Sequence, residues 1–162
     1  MTELLKVNRS IARCLTYTTR KPRVGEKNGQ DYHFITPEDF KKKIESGFFL
    51  EWANVYENFY GTAKEDVKHL LDSGKDVLLS VDVQGAKTIR EKMDAVLIFL
   101  TPPTLEELKK RLAKRGTETQ AVLDRRLQEA EHEMDQVSLY DYTVTNDTIE
   151  NSVRNILNLV QI

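Results

Sequence analysis

The sequence predicts an α/β fold built on a mainly parallel sheet with flanking helices, and three observations predict it. Strand-like and helix-like segments alternate along the chain. Two strand-like runs, Asp76–Val83 and Ala95–Leu100, are continuously apolar rather than alternating, as strands covered on both faces are. Helix-like segments open on capping signals at Thr36, Thr62 and Thr104. A length of 162 residues suits one domain, 1–162, with small lobes.

The elements follow in order. Met1–Asn8 reads as the end of a helix, and Ser10–Thr19 is β-branched and apolar enough for a strand. Residues 21–30 are rich in turn formers and read as a loop, followed by a short strand at Tyr32–Ile35. The next helix has Thr36 as N-cap, Pro37 at its first position and Asp39 in its first turn. Phe40 and Ile44 share its apolar face, and Gly47 follows its end. Phe48–Ala53 and Val55–Tyr60 are strand-like, with a turn expected at Glu57-Asn58. Thr62…Glu65 has the spacing of a capping box before a helix carrying Val67, Leu70 and Leu71, which Gly74 ends. After the two apolar runs, Pro102-Pro103 breaks the chain, and Thr104…Glu107 opens a helix to about Gly116. A charged helix is expected over Glu118–Val137, a short strand at Tyr142–Thr145 and a last helix over Ile149–Ile162.

Composition excludes several classes of function. With 24 Lys+Arg against 26 Asp+Glu, a globally basic nucleic-acid binder is disfavoured, and no nucleic-acid partner is expected. Apolar runs are only a few residues long, whereas a membrane span needs about 20, so no membrane partner is expected. The amino terminus has no apolar core of a secretion signal, and the expected location is cytoplasmic. Cys14 is the single cysteine, and His33, His69 and His132 lie far apart without ligand spacing, so no protein-held metal is expected.

The polar residues suggest where chemistry sits. Parallel α/β sheets bind ligands at the carboxyl ends of their strands, where Asp82-Val-Gln-Gly85 stands. Asp82 there suits either ligand binding or helix capping. Leu4–Gly25 holds six basic residues and no acid. Within it, Arg20 and Arg23 follow the hydroxyls of Thr16, Thr18 and Thr19. Arginine forks match phosphate oxygens, although a solvated basic loop has the same composition. Tyr32 and Tyr60 offer phenolic donors. Glu51 interrupts an apolar run, where an acid is costly to bury unless paired. A carboxylate there would accept from the N1–H and exocyclic amine of guanine, or it points to solvent. Arg115 and Arg126 flank a loop between two helices, which suits a lid over polyphosphate as well as ordinary surface charge.

Together, Thr18-Thr-Arg-Lys-Pro-Arg23, Asn28-Gly-Gln-Asp-Tyr32-His-Phe34, Leu50-Glu-Trp-Ala53, Phe59-Tyr-Gly-Thr62 and Asp82-Val-Gln-Gly85 resemble guanylate kinase. So do Pro102-Pro103, Arg111-Leu…Arg115-Gly-Thr117, Arg126-Leu127 and Thr145-Asn-Asp147. The resemblance covers about residues 10–162, with the motifs in the family's order. It implies a P-loop kinase-like fold with a small mixed β GMP-binding lobe at 16–66 and a helical lid at 113–127. The implied activity is phosphoryl transfer from ATP to GMP, giving ADP and GDP, with Mg²⁺ accompanying ATP. Thr16, Arg20, Arg23, Tyr32 and Tyr60 would hold the GMP phosphate. Glu51, Thr62 and Asp82 would read the guanine, although Ser80 stands where the family often has a second acid. Arg20, Arg115 and Arg126 would act on the transferred phosphate, and Asn146 would lie near the donor's adenine.

One part of the family pattern is not found. No G-x-x-x-x-G-K-[ST] loop occurs; Gly25 is the first glycine, and Gly85-Ala-Lys-Thr88 lacks the spacing. The first central strand and phosphate loop are therefore expected to be missing, and catalysis by this chain to be impaired. The alternative is a non-catalytic guanylate-kinase-like module that binds GMP or a phosphorylated partner.

Overall fold

A computed structural model describes residues 1–55, 57–114 and 120–160. They form two compact units, Met1–Asp94 and Ala95–Ile162.

The first unit holds α1 (Thr2–Val7), β1 (Ile11–Arg13), β2 (Thr16–Thr18), β3 (His33–Phe34), α2 (Pro37–Glu45), β4 (Phe49–Val55), β5 (Asn58–Ala63), α3 (Lys64–Asp72), β6 (Asp76–Leu78) and α4 (Val83–Lys92). β1 and β6 pair in parallel, while β3-β2-β5-β4 form a mixed four-stranded sheet. The expected strand Ser10–Thr19 is thus two strands in two sheets, divided at Cys14-Leu15. The chain changes partner there, from β6 to β5, which composition alone does not reveal.

Helix α2 forms as its signals require. The Thr36 hydroxyl accepts from Asp39 N–H at 3.1 Å, and Pro37 takes the first position, where its missing N–H costs nothing. Phe40 is fully buried and stacks on Phe49 and Phe59 at 4.4 and 5.3 Å between ring centroids. This aromatic layer lies directly over Gly61. A Cβ at Gly61 would sit 3.0 Å from both Phe40 Cζ and Phe49 Cδ1, so glycine is what lets the rings close on the sheet. The β4–β5 turn includes Glu57 at φ 65°, and β5 already begins at Asn58.

Helix α3 starts differently from expectation. Its N-cap is Ala63, with no side-chain cap. Thr62 is buried in β5, and its hydroxyl is turned to Glu51. A capping box needs its threonine half outside the helix and free of other bonds, and here a buried carboxylate takes the hydroxyl. Strand β6 is shorter than expected, because the backbone leaves the ladder after Leu78 and Asp82 becomes the N-cap of α4. The apolar runs are only half covered: Val77 and Leu78 are half-buried in β6, which has one ladder among the described residues.

The second unit holds β7 (Ile98–Thr101), α5 (Leu105–Lys114), α6 (Gln120–Met134), a 3₁₀ turn at Val137–Leu139, β8 (Tyr142–Thr145) and α7 (Ile149–Val160). β7 and β8 pair in parallel. The Thr104 hydroxyl caps α5 at Glu107 N–H, 3.1 Å away. Val144 is buried, while Leu100, its register partner, is 50% exposed. Among the described residues no helix is long and apolar enough to cross a membrane.

Candidate functional site

One face of the four-stranded sheet carries polar side chains in a protein whose other sheet face is aromatic. Register explains the division. Thr16 pairs with Thr62 and Thr62 with Glu51, while Thr18 pairs with Tyr60 and Tyr60 with Ala53. Directly paired residues share a face, so Thr16, Thr18, Glu51, Tyr60 and Thr62 lie together. Tyr17, Gly61 and Trp52, the intervening row, face the Phe40 side.

Simple alternation would put Phe49 and Glu51 on the same face. A β-bulge between them prevents this: Phe49 pairs with Ala63 but Glu51 pairs with Thr62. The extra residue, Leu50, reverses the alternation, sending Phe49 to the aromatic layer and Glu51 to the polar face. The Leu50 carbonyl accepts from Lys92 Nζ of α4 at 2.6 Å.

Glu51 is 4% exposed. Its Oε1 accepts from the Thr62 hydroxyl at 2.5 Å. Burial pushes its carboxyl above the ordinary value, and the nearby Asp82 charge pushes the same way. The hydrogen bonds from Thr62 and the Lys92 ammonium oppose that rise. Asp82 is the N-cap of α4, its Oδ1 accepting from Gly85 N–H at 2.8 Å. Both open readings of Asp82 are thus compatible: one oxygen caps the helix, and the carboxyl belongs to the same small region as Glu51. Glu51 is buried, so its solvent-facing alternative is excluded.

The phosphate-binding candidates lie on β2, on the loop after it and, for Tyr60, on the neighbouring β5. Thr18 accepts from Arg20 N–H at 3.2 Å. Arg20 makes a two-pronged pair with Glu26, NH1 to Oε2 and NH2 to Oε1, each at 2.9 Å, and NH1 also donates to the Lys21 carbonyl at 2.8 Å. Its guanidinium lies 5.3 Å from the Tyr32 ring centroid, and Tyr32 meets Tyr60 edge-on at 6.4 Å. The Glu26 hydrogen bonds hold Arg20 above its ordinary pKa, and Glu26 is lowered in return, first by Arg20 and then by the Arg23 N–H, 2.7 Å from Oε2. Arg23 itself is exposed. Sequence reasoning missed Glu26. The available signal was its place as the first acid after an acid-free run of six basic residues.

Thr16, Arg20, Arg23, Tyr32, Glu51, Tyr60, Thr62 and Asp82 therefore all fall in the first unit. Asn146 belongs to the second. Its N–H donates to the Thr101 carbonyl at 2.7 Å, and its Oδ1 accepts from Ser152 at 3.3 Å. Arg126 is half-buried in α6. Arg115, and with it the middle of the expected lid, lies outside the described residues. Of the arginines near that region, Arg111 pairs with Glu107 at 2.9 Å, as the helix spacing predicts, and also donates to the Asn146 carbonyl at 2.9 Å. His33 stacks on Tyr17 at 4.4 Å between ring centroids.

Such an arrangement presents a buried carboxylate beside hydroxyls on one sheet face, and an oriented arginine on the loop that follows β2. It suits a ligand with a hydrogen-bonding base and an anionic end. Comparison with known proteins points the same way. A guanylate kinase of Clostridium perfringens (strain 13) is 48% identical over 154 residues, covering 94% of this chain and 71% of that protein. One of Clostridioides difficile is 45% identical over 159 residues, covering 98% and 78%. The crystal structure of guanylate kinase from Anaplasma phagocytophilum superposes with a TM-score of 0.84 at 34% identity, covering 99% of this chain and 78% of that one. The guanylate kinase family model matches residues 2–161, and with these relatives it establishes that the chain belongs to the guanylate kinase family, whose members are nucleoside monophosphate kinases.

Proposed function

We propose that residues 16–66, with Asp82, form the GMP-binding lobe of a cytoplasmic phosphotransferase that moves a phosphoryl group from ATP to GMP, giving ADP and GDP. The observation that carries this reading is Glu51, a carboxylate 4% exposed and fixed by the Thr62 hydroxyl. A carboxylate accepts from the adjacent N1–H and amine of guanine. Adenine would present its N1 acceptor there, setting lone pair against negative charge. Thr62 and Asp82 complete the base side. Thr16, Arg20, Arg23, Tyr32 and Tyr60 hold the phosphate, and the Glu26 pairing presents Arg20 in a fixed orientation.

Calorimetric titration with GMP and AMP tests this directly. Leaving buried polar groups unpaired costs about 1–3 kcal/mol, so GMP should bind roughly 10- to 100-fold more tightly. Equal affinities would overturn the reading.

For the donor side, we assign Asn146 to the adenine of ATP and Arg115 and Arg126, within a 113–127 lid, to the transferred phosphate. Among the described residues no three His, Cys, Asp or Glu groups converge to hold a metal, and the 162 residues contain no G-x-x-x-x-G-K-[ST] loop. Mg²⁺ with a triphosphate is held by one or two protein oxygens together with the phosphates themselves, so the part these residues do not supply is the N–H cradle, lysine and hydroxyl of that loop. We assign them acceptor binding, and assign transfer only to a chain that also carries such a loop. Coupled assay of ADP formation, with and without a loop-bearing segment fused ahead of Met1, tests the assignment. Comparable turnover by the 162 residues alone would refute it. In the loop-bearing chain, Arg115→Ala and Arg126→Ala should lower kcat far more than they raise KM for GMP.

A further inference from the structure

We infer that Gly85 is a specificity-determining residue that sets the orientation of the Glu51 carboxylate. The inference rests on the GMP reading of the site and adds a residue that does not itself offer a side chain to the ligand.

Gly85 is buried in the first turn of α4. Its N–H donates to Asp82 Oδ1, a bond that any residue except proline makes. Its φ is not in the left-handed region, so the backbone does not demand glycine. What the position requires is the absence of a Cβ. One placed there would lie 2.7 Å from Glu51 Oε2, 3.0 Å from Val81 Cβ and 3.2 Å from Asp82 Oδ1. The first distance is shorter than van der Waals contact allows, and the atom that can yield is the end of the Glu51 side chain.

Glu51 is thereby held between two elements. Thr62 of β5 binds Oε1, and the bare Cα of Gly85 leaves room for Oε2. The bulge at Leu50 delivers the side chain to this slot. To accept from two neighbouring N–H groups on one edge of a base, both carboxylate oxygens must lie side by side in the base plane. A methyl at position 85 turns Oε2 away while the Thr62 bond keeps Oε1 in place. With Oε2 assigned to the exocyclic amine and Oε1 to the N1–H, one hydrogen bond of the pair to guanine is then broken, and it is one that a purine without the 2-amino group never makes. Gly85 thus governs discrimination between GMP and inosine monophosphate, which keeps the N1–H and lacks the amine.

The test is calorimetric titration of wild type, Gly85→Ala, Glu51→Gln and the double variant with GMP and with inosine monophosphate, alongside thermal melts. Wild type should prefer GMP by roughly tenfold or more. In Gly85→Ala that preference should collapse toward unity through loss of GMP affinity. In the Glu51→Gln background the same glycine change should alter GMP affinity less than about twofold, because residues acting through one another are not additive. A wild-type GMP preference retained in Gly85→Ala, or full additivity in the double variant, would overturn the proposal. A wild type with no preference at all would instead overturn the GMP reading of Glu51, so the two failures are distinct. Should Gly85→Ala fail to melt cooperatively, Glu51→Ala is added to remove the atoms the methyl meets. Recovery of the melt supports the proposal; no recovery assigns the glycine to the Val81 contact and refutes it.

Discussion

Replacing Glu51 by glutamine should weaken GMP binding and strengthen the unliganded fold, two effects of opposite sign from one substitution. Glutamine keeps an oxygen for the Thr62 hydroxyl but removes the charge and turns one acceptor into a donor. Hydrogen bonds to charged groups contribute about 1.5–3 kcal/mol, so GMP affinity at pH 7 should fall about 10- to 150-fold. Stability moves the other way. Burial raises the Glu51 pKa in the folded chain, so the folded state binds this proton more tightly than the unfolded state does. The contribution of Glu51 to native stability is therefore fully present below the ordinary carboxylate pKa. It is lost as pH rises through the raised value. Glutamine does not titrate, so the melting temperature of the variant relative to wild type should climb as pH rises above the ordinary carboxylate pKa. Calorimetric titration with GMP and thermal melts over that rise in pH read the two effects. GMP affinity within twofold of wild type, or a variant that falls further behind wild type as pH rises, would refute the reasoning.

Other expectations follow from the same geometry. Arg20→Ala should cost about 1.5–3 kcal/mol of GMP affinity while leaving the GMP-over-AMP ratio unchanged, and a changed ratio would place Arg20 at the base. Gly61→Ala should destabilise the fold by about 1–3 kcal/mol, because its Cβ meets Phe40 and Phe49 at 3.0 Å; denaturant unfolding with an unshifted midpoint would contradict this. Cys14 is buried, and burial pushes its thiol up to about 11, so about one molecule in a thousand carries the thiolate at pH 8. A disulfide reagent at that pH should modify it only at the rate of unfolding, and modification within seconds would show the thiol to be open.

Much of this was legible in the sequence because the determining interactions are local. Tyr142–Thr145 is a strand as read, and Thr36 and Thr104 cap their helices, since each rests on residues three apart. Thr62 was misread for the same reason: its spacing to Glu65 is local, but the bond it makes is to Glu51, on another strand. The division of Ser10–Thr19 depends on which distant strand each half meets, Asp76–Leu78 for one and Asn58–Ala63 for the other. In the site, residue types were readable and geometry was not. Glu51 stood out as an acid in an apolar run, yet the bulge that decides which way it faces leaves no mark in composition. Glu26 was hidden among the turn residues of its loop, although it fixes the arginine that sequence singled out.

The bulge at Leu50 also separates two kinds of mutational tolerance. What that position contributes to the site is a count, one residue more on β4 than on β5. Its carbonyl is what Lys92 binds, and every amino acid has one. Exchanging Leu50 for another apolar residue therefore leaves the phase of the strand intact. Deleting it does not: Phe49 would be drawn to the polar face or Glu51 to the aromatic layer, each an interior unsuited to it. Along this strand, the register constrains length more strictly than identity. Homologous chains should accordingly drift in side chain at this position while holding the spacing between the aromatic residue and the acid fixed.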